Sequence, residues 1–389
     1  MTTAADVASM PLRWREPESV KPLRKLLPVM RAGAAAAPGR SDLQLQFANA
    51  LFWTGETAEI VERWRPAASD LGSKAELLYL LGRAALAVRD YPLACTALER
   101  ASAMAFAPAL GYLAEALYCL ERPDEALDAA LRRLATSPAD FSAIKVAARL
   151  LLARGEPDRL WNLCLDLRAR GAWGSWFSTV MVTAAAILGI DDELRTLVDR
   201  PRWFSTRRLS GADTLNPGLA AELLALSSTG AEMRVEGLEA IGGPATQRLL
   251  AQIRNAVEVY VAERETFAND PMIVRGPKDV SLHAWLITTH DEKHHNWHIH
   301  QAGWISGVYY VTVPAVQSGG DDRPGTIEFG PYPFVDGESG LAEHCWRVAP
   351  QPGLLILFPS YFAHRSRPTH VSDLRICVPF DVRPAVAAD

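Results

Sequence analysis

Small and apolar residues recur at helical spacing through the first half of the chain. One such face carries Leu81, Ala84, Ala85 and Val88, at positions i, i+3, i+4 and i+7. Short turns containing Gly, Pro or Asp separate one apolar face from the next, which is typical of paired antiparallel helices. The pattern therefore predicts a row of helical hairpins.

These hairpins repeat at nearly constant intervals. Equivalent apolar positions fall almost evenly along the chain, at Ile60, Ala94, Ala126, Leu160 and Leu194. Their spacing of about 34 residues is the period of a tetratricopeptide repeat, whose hairpins must stack to bury their apolar faces. We expect such repeats over residues 40–200, after an N-terminal segment over 1–39. Arrays of this kind bind a peptide or protein partner, or only pack against a neighbouring domain, and no residue here marks a ligand-contacting face.

The hydrophobic pattern changes after residue 200. Residues 201–272 predict a connection and supporting helices, the longest from Pro244 to Thr266. From Pro277 the apolar period becomes two, and many short strands with Gly, Pro and Asp turns favour a jelly roll. Strands are predicted over 280–287, 304–313, 325–329, 342–348, 353–358 and 374–382. The expected fold is multidomain: an all-α tetratricopeptide-like superhelix, then a double-stranded β-helix (jelly-roll) domain over 273–389 with flanking helices.

Composition narrows the classes of function. The chain has 389 residues, 49% of them hydrophobic and 22% charged, as in a folded protein of more than one domain. Its net charge of −5 argues against nucleic acid or an anionic membrane as a partner. Five cysteines without a Cys-x-x-Cys pair, no signal-peptide pattern and no apolar run long enough to span a bilayer predict a cytoplasmic protein.

The histidines concentrate the candidate chemistry. All nine lie between His283 and His370. His298 and His300 face the same way on an extended segment, His364 follows an apolar strand, and Arg375 comes eleven residues later. Three protein ligands on one face of Fe(II) leave positions for a bidentate 2-oxo acid and for dioxygen, and a guanidinium offers two donors to a remote carboxylate.

Four segments in this order resemble the 2-oxoglutarate/Fe(II)-dependent oxygenases often found behind tetratricopeptide repeats. They are 297–314 with His-x-His and Ser-Gly-Val-Tyr-Tyr-Val, 325–331, 353–364, and 375–380. The resemblance implies Fe(II) as cofactor, 2-oxoglutarate and dioxygen as co-substrates, and hydroxylation of a protein, peptide, carrier-bound or small substrate. It makes His298 and His364 metal ligands and Arg375 the clamp for the far carboxylate of 2-oxoglutarate.

His300 stands where the wider superfamily has Asp or Glu. Three ligand sets are possible. His300 is a neutral third ligand, or the site uses two histidines plus water, or the carboxylate of Asp321 or Asp322 is the third ligand. We expect the first, with His298, His300 and His364 as the catalytic metal ligands. The other histidines tested against this role, His283, His290, His344 and His370, are expected to be polar surface residues or hydrogen-bonded side chains.

Cys377 occupies a position where a hydroxyl often assists carboxylate binding. Tyr309 and Tyr310 are therefore candidates for binding 2-oxoglutarate, although neighbours on a strand point to opposite faces and only one can line the cavity directly. Two other functions stay open. In one, the jelly roll has lost turnover and the protein is a binding scaffold. In the other, a three-histidine cupin-like dioxygenase uses no keto acid, which would leave Arg375 without a role.

Overall fold

The structure is a computed structural model of the chain. It describes residues 12–17, 21–70, 74–226, 233–264, 270–315, 324–335 and 341–385. The chain forms two compact units: Glu18–Ala172, and a second made of Met1–Pro17 together with Trp173–Asp389. Among the described residues, no helix combines the length and the apolar character that crossing a bilayer requires.

The first unit is helical. Its described helices are α1 (Lys21–Ala36), α2 (Ser41–Thr54), α3 (Thr57–Trp64), α4 (Ala75–Ala87), α5 (Tyr91–Ala103), α6 (Ala109–Cys119), α7 (Pro123–Thr136), α8 (Phe141–Ala153) and α9 (Pro157–Ala169). From α2 onward they form hairpins. The second helices of these hairpins start at regular intervals, at Thr57, Tyr91, Pro123 and Pro157. Proline in the first turn of three of them favours a helix start, because no intrahelical N–H bond is needed there. The predicted period is confirmed.

Small residues allow the helices of a hairpin to cross closely. A Cβ added at Gly82 of α4 would lie 2.4 Å from Cγ of Leu98 on α5. Half-buried aromatic rings line the first helices of successive hairpins: Tyr79 of α4 contacts Tyr112 of α6, which contacts Phe141 of α8, with centroid distances of 5.7 and 6.0 Å. The unit therefore presents a row of aromatic side chains along its stacked helices.

The second unit begins with another repeat hairpin. Its described helices are α10 (Ser175–Leu188), α11 (Asp191–Leu197), α12 (Arg200–Trp203), α13 (Ala212–Ala225), α14 (Leu238–Ile241), α15 (Pro244–Ala262) and α16 (Pro271–Val274). The second helix of this hairpin, α11, starts one repeat period after α9, so the repeat continues. The two compact units divide at residue 172, so α10, whose residues from Phe177 to Ala186 are buried, lies in the second unit.

Two β-sheets complete the second unit. The strands are β1 (Arg13–Arg15), β2 (Ser205–Arg208), β3 (Met233–Glu236), β4 (Asp279–Thr289), β5 (Ile305–Thr312), β6 (Ile327–Phe329), β7 (Trp346–Val348), β8 (Leu354–Pro359), β9 (His364–Ser366) and β10 (Arg375–Pro384). The large sheet has the order β1-β4-β10-β5-β8-β2, with β3 paired to β4, and the small sheet has the order β7-β6-β9. Phe329 of the small sheet packs against Phe358 of the large sheet, with ring centroids 4.9 Å apart. The predicted jelly-roll architecture is confirmed.

The strands missing from the sequence prediction are short edge elements. Ser205–Arg208 lies in the segment expected to connect domains, yet it pairs antiparallel with β8 at one end of the large sheet. The predicted strand 342–348 is shorter in the structure, because residues Ala342–His344 form a 3₁₀ turn before β7. Strands this short cannot show a period of two, so they are recognised by their partners rather than by their own sequence.

Candidate metal centre

Backbone pairing brings the separated histidines together. The N–H of His298 donates to the carbonyl of His364 and the N–H of His364 donates to the carbonyl of His298, both at 3.0 Å. This isolated antiparallel bridge places the two side chains side by side, with ring centroids 4.3 Å apart. His300 joins them, and one potential ligand atom from each of the three residues lies within 4.8 Å of the others. The structure thus assembles the predicted three-histidine cluster from two distant segments of the chain.

The three rings are oriented by their outer nitrogens. Nδ1 of His298 donates to the carbonyl of Asn296 at 2.7 Å, Nδ1 of His364 donates to the carbonyl of Phe362 at 2.9 Å, and Nδ1 of His300 donates to a carboxylate oxygen of Asp381. Because each acceptor is an oxygen, the proton sits on Nδ1 and the Nε2 lone pair remains for a metal. The donor set fits a divalent transition metal such as Fe(II).

Burial keeps two of the candidate ligands neutral. It lowers the pKa of His298 to about 4 and lowers the pKa of His364 well below its usual value. A neutral imidazole is the form that binds a metal, so protons do not compete strongly at neutral pH.

Arg375 lies in the same cavity as the three histidines, which has a volume of about 280 Å³. The side chain is buried, with Nε donating to Thr289 Oγ1 at 3.0 Å and Nη1 to the carbonyl of Gly325 at 2.9 Å. In the part of the chain that the structure describes, no carboxylate lies within ion-pair distance of this guanidinium. A buried cation without a counter-ion is costly, so the cavity favours an anionic ligand at this end.

The two tyrosine candidates separate as strand alternation requires. Tyr310 is buried and lines the cavity, together with Cys377 of the neighbouring strand. Burial raises the pKa of Tyr310, so its hydroxyl keeps its proton and can donate. Tyr309 lies on the opposite face, where its hydroxyl donates to Asn216 Oδ1 at 2.7 Å. Of the two residues proposed for 2-oxoglutarate, the structure brings only Tyr310 to the cavity.

One carboxylate near the cluster was missed by the sequence reasoning. Asp381 lies on β10, six residues after Arg375, so alternation along the strand places both side chains on the cavity face. That alternation was the available signal. Burial opposes ionisation of Asp381, but His300, Arg383 and Ser306 bring its pKa down to about 2. The other carboxylates considered, Asp321 and Asp322, lie outside the described residues.

Helix α10 also contributes to the site, which the sequence did not reveal. Three hydroxyls at every fourth position donate to backbone carbonyls of surrounding loops: Ser175 to Gly303 at 3.2 Å, Thr179 to Tyr361 at 2.9 Å and Thr183 to Tyr332 at 3.0 Å. Gly303 follows His300 and Tyr361 precedes His364, so the helix holds both ligand-bearing segments. Hydroxyls in an apolar helix are expected to bond their own backbone, as Thr179 also does to the carbonyl of Ser175 at 2.7 Å, so the second contact could not be seen in the sequence.

The other histidines make separate contacts. His283 is hydrogen-bonded to Ser281 Oγ. His290 pairs with the carboxylate of Asp291, and His370 pairs with that of Glu292. Within the described residues, the only cluster of potential metal ligands is His298, His300 and His364.

A family model described as "Putative 2OG-Fe(II) oxygenase" matches residues 283–381, the segment that contains the whole histidine cluster and Arg375. This segment is a 2OG-Fe(II) oxygenase-like domain. The cofactors predicted from the sequence, Fe(II) and 2-oxoglutarate, are those of this family, and the three histidines have the geometry to hold the iron. Among curated proteins, no sequence matches the chain significantly.

Solved structures resemble parts of the chain at low identity. A prolyl-4-hydroxylase from Pseudomonas putida is 16% identical with a TM-score of 0.32, covering 51% of this chain and 100% of that chain. HygX from Streptomyces hygroscopicus, with nickel and 2-oxoglutarate bound, is 13% identical with a TM-score of 0.34, covering 49% and 87%. YrrB, a TPR protein with an unusual peptide-binding site, is 17% identical with a TM-score of 0.35, covering 44% and 89%. The assignment of the domain rests on the family match and the histidine geometry.

Proposed function

We propose that the protein is a 2-oxoglutarate- and Fe(II)-dependent oxygenase that hydroxylates a protein, peptide, carrier-bound or small substrate. The observation that carries this proposal is the buried guanidinium of Arg375, which lacks a carboxylate partner among the described residues and shares a cavity with three metal-competent histidines. A dicarboxylate that chelates a metal at one end and binds Arg375 at the other satisfies both features. A metal site alone would leave Arg375 unexplained.

Each side chain has a defined task in this function. His298, His300 and His364 hold the metal, Arg375 binds the far carboxylate of 2-oxoglutarate, and Tyr310 adds a hydroxyl donor. Bound Fe(II) would supply dioxygen activation coupled to decarboxylation of 2-oxoglutarate. Apolar side chains of the cavity wall, Ile287, Ile327 and Phe358, exclude water from the reacting atoms.

In this proposed function, the helical unit binds a peptide or protein partner. Arg83 of α4 lies over the ring of Tyr112 on α6 at 4.7 Å and over that of Phe52 on α2 at 4.1 Å. Half-buried aromatic rings interleaved with a guanidinium provide flat contact area and a charge, a combination that is enriched at protein interfaces. A small-molecule substrate would need no such surface.

An anaerobic absorbance titration tests the co-substrate. Apo protein receives Fe(II) and then 2-oxoglutarate, and we expect a visible metal-to-ligand band that requires both additions. His364→Ala should abolish the band and Arg375→Ala should require much more 2-oxoglutarate. Matched controls are His370→Ala and Arg132→Ala, whose exposed side chains lie outside the cavity and should leave the band unchanged. Wild-type protein that binds iron without a band would overturn the proposal.

Turnover separates an oxygenase from a binding scaffold. His300 in place of an acid is the feature that favours a scaffold. In air, an oxygenase should convert 2-oxoglutarate to succinate slowly without substrate and faster when the correct peptide or small molecule is added. A band without succinate under any condition would favour the scaffold.

A further inference from the structure

His300 has an anionic partner behind it. Its Nδ1 donates to Asp381 Oδ1, and the two side chains are only 9% and 4% exposed. The equivalent nitrogens of His298 and His364 donate to neutral backbone carbonyls instead. Among the described residues that line the cavity, Asp381 is the only carboxylate. The three ligands are therefore not equivalent, and the negative charge lies behind one of them.

The carboxylate of Asp381 is held from both sides. Ser306 Oγ donates to Oδ1 at 2.8 Å, and Ser306 is itself hydrogen-bonded to Ser360 Oγ at 2.7 Å. On the other oxygen, Nη2 of Arg383 donates to Oδ2 at 2.9 Å. In each of these hydrogen bonds Asp381 is the acceptor, as expected for an ionised carboxylate, which has no proton to donate. The position of Asp381, and with it the tautomer and tilt of the His300 ring, is fixed by the surrounding strands.

The local backbone is shaped to permit this network. The N–H of His300 donates to the carbonyl of Ser360 at 3.2 Å, so the segment carrying His300 lies directly on the end of β8. Gly303 makes the approach possible, because a Cβ there would lie 2.3 Å from Ser360 Oγ. A carboxylate, two serines and a glycine from three segments of the chain thus converge behind one ligand.

We propose that Asp381 is a positioning residue that supplies, one hydrogen bond behind His300, the negative charge that a 2-His-1-carboxylate site places directly on the metal. This inference rests on the proposed function. Through its hydrogen bond, the carboxylate makes the imidazole a stronger donor and holds its ring in place, as carboxylate–histidine–metal triads do. It explains how a site with three imidazoles can retain an anionic ligand environment.

The test is metal binding by Asp381→Asn, measured with Co(II) alone under anaerobic conditions. Asparagine keeps the size of the side chain but removes its charge. We expect Co(II) binding to weaken by about 10- to 100-fold, the range typical of lost outer partners of metal ligands, together with a shift of the visible ligand-field spectrum. Unchanged affinity and spectrum would overturn the inference.

Arg383→Met is the comparison variant. It removes the donor to Oδ2 of Asp381 while the carboxylate and its contact to His300 remain, so we expect a loss of Co(II) affinity clearly smaller than that of Asp381→Asn. If this variant loses as much affinity as Asp381→Asn with an unshifted spectrum, the role of Asp381 is only structural. If Asp381→Asn does not fold, Ser306→Ala replaces it, since it removes one donor to the same oxygen. That variant should shift the Co(II) spectrum by a smaller amount, and an unchanged spectrum would count against the inference.

Co(II) alone also separates the two proposals. Wild-type protein that binds Co(II) but gives no band with Fe(II) and 2-oxoglutarate would contradict the oxygenase function, while the Asp381 variants would still report on the metal site. Wild-type protein that binds no metal would overturn both.

Discussion

The hydroxyl of Thr179 on α10 shares its hydrogen between two carbonyl oxygens: that of Tyr361 at 2.9 Å, three residues before the metal-ligand candidate His364, and that of Ser175 on its own helix at 2.7 Å. Thr179 is only 1% exposed, so this bond lies in the interior of the unit. The first helix of the last repeat hairpin thus acts as part of the scaffold of the metal centre. By its period this helix belongs to the repeat, and by its hydrogen bonds it contacts the segments that carry the candidate metal ligands.

Thr179→Val should therefore weaken both folding and metal binding. The substitution preserves shape but leaves the Tyr361 carbonyl without this donor, which costs about 1–3 kcal/mol when the acceptor is buried. Urea unfolding and Co(II) titration measure the two effects. Thr196→Val is the matched control, because its hydroxyl bonds only the carbonyl of Asp192 on the same helix in an exposed position. Equal effects of the two variants would contradict the scaffold role.

Loss of the hydroxyl should affect 2-oxoglutarate binding at Tyr310 and folding stability at Tyr309. Tyr310→Phe should weaken 2-oxoglutarate binding about tenfold with little change in stability, because its hydroxyl lies in the cavity. Tyr309→Phe should lower the free energy of unfolding by about 1 kcal/mol, through loss of the bond to Asn216, and leave 2-oxoglutarate binding unchanged. Titration of the visible band and chemical unfolding distinguish them. A larger binding defect in Tyr309→Phe would reverse the assignment.

The metal-free protein should lose stability as the pH falls from 7 to 5. Burial lowers the pKa of His283 and His298 to about 4 and that of His364 well below its usual value, whereas all three take up protons near pH 6.5 when unfolded. Below pH 6.5 the unfolded chain binds more protons, so folding weakens by up to about 1.4 kcal/mol per pH unit for each histidine. Urea unfolding at several pH values measures the slope. His283→Asn should reduce it by about a third, and a flat profile in wild type would contradict the shifts.

Gly307→Ala should destabilise the large sheet. A Cβ at this position would lie 2.4 Å from the carbonyl oxygen of Ile356 on β8 and 2.4 Å from Cζ of Phe380 on β10. Because one of these obstacles is backbone, the strands must move apart, and we expect a loss of about 1–3 kcal/mol in unfolding free energy. Gly218→Ala in α13 is the control, since no atom lies within 4 Å of its added Cβ. There alanine should be neutral or stabilising by up to about 1 kcal/mol. Similar losses in both variants would show that packing at Gly307 is not tight.

Local patterns in the sequence determined much of this protein. The repeat period located the second helices of the hairpins, the change to a period of two located the longer strands, and His-x-His with the later His364 and Arg375 predicted a candidate metal site whose residues the structure brings to one cavity. These features are readable because helices and long strands repeat their apolar positions, and because ligands beside core strands occur in short motifs.

Tertiary structure decided the rest. The pairing of His298 with His364, the place of Asp381 behind His300 and the bond from Thr179 to Tyr361 all join residues far apart in the chain. The choice between Tyr310 and Tyr309 depended on which face of β5 meets the cavity, and the membership of α10 depended on what buries it. Such relationships arise from strand register and helix packing, which are set by contacts across the whole unit and leave no local period in the sequence.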